Sequence, residues 1–145
     1  MTDTTIDTLN EFLRGEEAAV ETYELAIKST KDPPLGTSLQ QLWDDHSQRI
    51  TILRRRIIEF GGEPSKSSGV WGAFAKAVQA GADLLGDSAA MSVLEEGEDR
   101  GLRMYSDGLK SLDPVIRDLV SQTLLPAQRK THDLCRSLKR FVKAA

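Results

Sequence analysis

Gly15-Glu16-Glu17 is followed by Tyr23, and 82 residues further on Gly97-Glu98-Asp99 is followed by Tyr105. In both copies the tyrosine lies seven residues after the first glutamate. Seven residues is about two helical turns, so each glutamate shares a helix face with its tyrosine, about 10 Å apart along the axis. Around the first copy the apolar seam steps by threes and fours through Ile6, Leu9, Leu13, Glu16, Val20, Tyr23 and Ile27. Glu16 therefore takes a core position. Met91, Leu94, Glu98, Gly101 and Tyr105 keep the same rhythm and put Glu98 in the matching slot.

Two inward carboxylates at one depth suit either metal ligation or an internal ion pair. In bundles that hold two metals, two helices each give a Glu and two each give Glu-x-x-His, so that four carboxylates balance two divalent ions and two imidazoles complete their shells. The chain has 2 histidines, His46 and His132, which fall on the second and fourth helical stretches. The candidate ligand set is thus Glu16, His46, Glu98 and His132, suited to iron, manganese or zinc. Gln128, 82 residues beyond His46 and on the face of His132, is a candidate outer partner. Trp43 stands three before His46 and Arg129 three before His132, so neither histidine closes a Glu-x-x-His. With two core carboxylates instead of four, a dinuclear site is under-neutralised. Three readings stay open: a structural core satisfied by hydrogen bonds or by a cation such as Arg49, a single-ion site, and a dinuclear site. The sequence favours the first. Tyr23 and Tyr105 read as core aromatics with satisfied hydroxyls.

The elements that position these residues are helices. Caps within Thr2 to Thr5 open the first, which runs to Lys28 or Ser29, where Asp32-Pro33-Pro34 stops it. A second is expected from Thr37 or Ser38, along Leu39, Leu42, His46, Ile50, Leu53 and Ile57, to a glycine cap at Gly61-Gly62. The third region is interrupted at Gly86, between a short amphipathic stretch from Val70 and a longer piece reaching about Leu109, and the spacing leaves open whether these are one kinked helix or two. Asp113 as N-cap with Pro114 at the first helical position opens the last helix, and Pro126 predicts a local kink inside it because it removes an intrahelical hydrogen bond. Nothing has strand periodicity. The expected fold is all-α, an antiparallel four-helix bundle with an extra short helix in the connection between helices two and three.

At 145 residues with 39% hydrophobic side chains, the chain suits one domain spanning residues 1–145. Its 19 basic and 22 acidic residues give a net charge of −3, which argues against general nucleic-acid affinity. Arg54, Arg55 and Arg56 with Lys139, Arg140 and Lys143 read as solvated helix ends, with an anion or nucleic-acid adaptor as the competing reading. The single Cys135, a polar start and the lack of any run of about 20 apolar residues point to a cytoplasmic protein with no membrane partner. Trp71 and Phe74 are read as core cover, with a partner surface as the alternative, and self-association of amphipathic faces is an open expectation.

The doubled Glu/Tyr spacing, Phe60-Gly61-Gly62-Glu63-Pro64, Val70-Trp71-Gly72-Ala73-Phe74 and Gly97-Glu98-Asp99 together resemble the ferritin-like superfamily. Within it they are similar to a bacterial family of four-helix-bundle proteins of unknown function. The resemblance covers nearly the whole chain and implies a ferritin-like fold. The superfamily includes iron stores, rubrerythrins and di-iron oxidases, so it also implies metal at Glu16 and Glu98 and a metal-dependent oxidoreductase. Helices two and four depart from its Glu-x-x-His pairs, and the function expected here is a structural, interaction or stress-associated bundle with a degenerate metal site.

Overall fold

The computed structural model describes residues 3–144, with side chains described outside 70–85 and 144. Helix α1 is Asp3–Ser29, α2 Pro33–Glu59 and α3 Val70–Gly108; α4 (Pro114–Leu119), a π turn (Val120–Leu124) and α5 (Leu125–Ala144) form the fourth long helix. A 3₁₀ turn, Leu109–Ser111, ends α3. Helix α1 packs on α2 and α3, α3 packs on α5, and α2 and α5 touch only sparsely.

Two apolar clusters fix the directions. One joins Leu9, Phe12 and Leu13 of α1 to Leu53 and Ile57 of α2, Tyr105 of α3 and Ile116 of α4. The other joins Tyr23 and Ala26 of α1 to Leu39 and Leu42 of α2, Met91 and Leu94 of α3 and Cys135 of α5. The start of α1 therefore meets the ends of α2 and α3, and neighbouring helices run antiparallel. The connection after α2 must return along the bundle. Asn10 holds it through the Glu63 carbonyl at 3.0 Å and the Ser65 amide at 2.7 Å, and the Ser68 hydroxyl donates to Glu21 at 3.2 Å further along α1.

Local chemistry explains the helix ends. Gly61 at φ 80 closes α2, with the Gly61 amide on the Ile58 carbonyl at 3.0 Å and the Gly62 amide on the Ile57 carbonyl at 2.9 Å, the paired bonds of a Schellman cap. Gly86, at φ 81 and ψ −167, is non-helical inside α3, so the third region, which the spacing leaves open as one kinked helix or two, is two helices meeting at a kink. Helix α2 starts at Pro33, four residues before the expected Thr37. The two prolines occupy its first turn, where the missing N–H groups have no intrahelical partner anyway. Asp113 and Pro114 open α4 as expected. Where a kink is expected at Pro126, the structure has a π turn just before it, in which the Leu125 amide reaches back to the Val120 carbonyl. Trp71 and Phe74 lie outside the described side chains.

Candidate polar site in the bundle core

Between the two apolar clusters lies a polar layer built from all four long helices. Glu16, His46, Arg49 and Glu98 are each 2% exposed, and Gln128 and Thr131 are as deeply buried. Glu16 and Glu98 occupy the matching slots that the seams of α1 and α3 prescribe.

His46 joins the two carboxylates. Its Nδ1 lies 2.5 Å from Glu16 Oε1 and its Nε2 lies 2.7 Å from Glu98 Oε2. Both ring nitrogens can donate only in the imidazolium. Burial opposes that charge, but Glu98 and Glu16 outweigh it and hold His46 up at about 9. Burial likewise works against an ionised Glu16, yet Arg49 and His46 bring its carboxyl down to about 2. The Glu98 carboxyl is lowered against burial by His46, with the Tyr23 and Thr131 hydroxyls assisting.

The tyrosines exchange partners between the repeats. The Tyr23 hydroxyl donates to Glu98 Oε2 at 2.6 Å, and the Tyr105 hydroxyl donates to Glu16 Oε2 at 2.5 Å. Both phenols are raised well above their ordinary range by burial and by the carboxylate each one faces. Tyr23 also stacks on the His46 ring, with centroids 5.3 Å apart.

Arg49 closes the layer on the α5 side. Its Nη1 donates to Glu16 Oε2 at 3.2 Å and to Gln128 Oε1, and its Nη2 donates to the Ala127 carbonyl at 3.1 Å and to Thr131 Oγ1 at 2.8 Å. The other Glu98 oxygen accepts from Gln128 Nε2 at 2.9 Å and from Thr131 Oγ1 at 2.8 Å. The Arg49 Nη1 also sits 3.3 Å from His46 Nδ1, a contact between two cations that the flanking carboxylates offset. Among its nitrogens, Nε is buried without a partner, beside a cleft of about 240 Å³ between α2 and α5. A cavity of about 30 Å³, lined by Gly15, Ala18, Ala19 and Gly97, touches His46, Tyr23 and Glu98, room for a single water.

Of the four expected ligands, Glu16, His46 and Glu98 come together, whereas His132 does not join them. It is one residue past Thr131, about 100° round the helix. Its Nε2 bonds Asp99, and its Nδ1 lies 3.5 Å from Asp133. Gln128, expected as an outer partner, bonds Glu98 and Arg49 directly. Thr131 was not foreseen, although the 82-residue offset that leads from His46 to Gln128 leads equally from Arg49 to Thr131. Cys135 packs in the core, its thiol pushed up to about 12 by burial and by Glu98. On the basic helix ends, Arg54 is paired with Glu17 at 2.8 Å and Lys139 with Glu95 at 3.3 Å.

These residues do not fit a dinuclear metal centre. Where such a centre has Glu-x-x-His on two helices, α2 carries His46-x-x-Arg49 and α5 carries Gln128-x-x-Thr131. Each oxygen of Glu16 and Glu98 already accepts hydrogen bonds, and a guanidinium cannot ligate a cation. Among the described residues there is no group of three or more His, Cys, Asp or Glu placed to hold a metal ion.

Helix order, the long connection and the polar layer define a ferritin-like four-helix bundle. The chain is similar in structure to a protein described as a ferritin like, diiron-carboxylate protein from Bacillus anthracis str. Ames, with a TM-score of 0.74 at 14% identity over 96% of this chain and 99% of that one. That likeness carries the fold. Residues 4–111 match the family model described as a domain of unknown function, DUF2383, and the chain belongs to that family. No curated protein matches it. No helix among the described residues is long and apolar enough to cross a membrane.

Proposed function

We propose that this protein is a metal-independent ferritin-like bundle with a structural or interaction role, and that its core layer serves architecture instead of redox chemistry or iron storage. The observation that carries this reading is His46 bridging Glu16 and Glu98 through both ring nitrogens. A ligating imidazole must offer a free lone pair, and both His46 ring nitrogens are occupied by protons aimed at the two carboxylates. The reading extends to a bacterial, cytoplasmic setting, in keeping with a single buried thiol. A stress-associated role rests only on kinship of fold. For self-association, exposed Ile58, Val115 and Phe141 supply apolar contact material, which light scattering after size exclusion would read as a mass above one chain.

Elemental mass spectrometry on untagged, dialysed protein, before and after incubation with iron, manganese and zinc, tests the main reading. Substoichiometric metal throughout is the expected result. Near-stoichiometric metal that disappears in Glu16→Ala/Glu98→Ala would replace the reading with a metal-binding redox or storage function and call for peroxide and oxidase assays.

A further inference from the structure

Two carboxylates in the middle of a helical bundle carry a charge that something must cancel, because a lone buried carboxylate takes up a proton before it stays ionised. Here the canceling groups come from one turn of one helix. His46 and Arg49 stand three residues apart on α2, and each contacts Glu16, while His46 also reaches Glu98. The matching turn of α5 carries Gln128 and Thr131, both neutral, and these fill the remaining oxygen of Glu98 and the free edges of Arg49. The layer thus holds two negative and two positive groups and no surplus.

The positions matter as much as the charges. The offset that relates Glu16 to Glu98 and Tyr23 to Tyr105 also relates His46 to Gln128 and Arg49 to Thr131. All six polar positions of a two-metal bundle are therefore present, in order and pointing inward, with four of them changed. We propose that the His46 imidazolium and the Arg49 guanidinium are built-in replacements for bound metal cations, their two charges offsetting the two carboxylates that remain, with Gln128 and Thr131 completing the hydrogen bonds that metal ligation would otherwise use.

An ordinary buried polar network would not make this demand. If the two side chains only donated hydrogen bonds, neutral donors would serve as well, and removing their charge would create no appetite for cations. If they stand for metal charge, removing them exposes a requirement that a metal ion can meet. The inference rests on the metal-independent reading of the bundle, and the experiment separates the two.

Three proteins are compared with Co(II) as the probe: wild type, His46→Gln/Arg49→Gln, and His46→Glu/Arg49→His/Gln128→Glu/Thr131→His. Equilibrium dialysis counts bound ions, and thermal melting is followed with and without Co(II). The expected result is no ion on wild type, a melting point of the double variant that is lowered and then partly restored by Co(II), and two ions per chain on the quadruple variant. Should either variant fail to fold alone, it is refolded with Co(II), and recovery of helical signal supports the proposal. Absence of both binding and rescue in the two variants overturns it and leaves the metal-independent reading standing. Stoichiometric Co(II) on wild type would instead bring down that reading, and the proposal with it.

Discussion

Glu16 sits where the titration of the whole layer can be read. Its carboxyl is held down to about 2, so it contributes stability that is present above its ordinary value near 4.5 and is lost as pH falls through about 2. His46 works in the opposite sense. Held up at about 9, it contributes stability that is complete below its ordinary value of 6.5 and is lost as pH rises through about 9. Melting temperature should therefore be level between about pH 4.5 and 6.5 and fall on either side; calorimetry on His46→Gln should show a weaker alkaline decline than wild type. Tyr105→Phe removes a hydroxyl that donates to a buried carboxylate and should cost about 1.5–3 kcal/mol in urea unfolding, the range for hydrogen bonds to charged groups. Both inner glutamates were legible because a charged residue interrupting an apolar seam is conspicuous. Arg49 was visible only as a neighbouring cation. Glu-x-x-His carries its histidine last, whereas His46 stands at the first position of its turn, and that one shift hides Thr131 as well.

Among the elements, close packing of α3 shows most clearly why small residues stand where they do. A Cβ on Gly101 would lie 2.5 Å from Nε2 of Gln128, and one on Gly108 would lie 2.5 Å from the Phe12 ring. Gly101→Ala gains about 1 kcal/mol in helix propensity but drives a methyl into an amide that is bonded to Glu98 and Arg49. Overpacking of about 1–3 kcal/mol should win, and denaturant midpoints should fall. Gly61→Ala makes a useful contrast, since nothing lies within 4 Å of its Cβ and only the φ of 80 is penalised. A cost of about 1–2 kcal/mol is expected from left-handed backbone alone. Glycine breaks and caps were legible from sequence because they rest on backbone geometry that few other residues adopt. The start of α2 was misread because two adjacent prolines signal both a stop and a first turn, and only the course of the chain decides between them. The π turn ahead of Pro126 lay beyond sequence too, since a proline predicts trouble in a helix without saying how the helix absorbs it.

The whole molecule stands on two apolar clusters with a neutral polar layer between them. Because that layer draws its charge balance from side chains, treatment with a chelator should leave the melting temperature unchanged, a measurement that takes no variant. Antiparallel helices, their number and the long return connection were readable from periodicity and turn chemistry, since those features are local. Which polar groups meet was not, because a hydrogen bond between α1 and α3 or between α2 and α5 depends on how the helices are rotated once packed. One consequence concerns assembly from pieces. The half ending near Ser67 brings Glu16, His46 and Arg49, a surplus of one positive charge at its inner face, and the other half brings Glu98, a surplus of one negative charge. Two copies of the first half would bury like charge, and so would two copies of the second; only the unlike pair is neutral, and it alone satisfies the crossed tyrosine bonds. Fragments 1–67 and 68–145 expressed together should therefore reconstitute as a one-to-one complex and should not form like pairs, an outcome that would make the two halves obligate complements of each other.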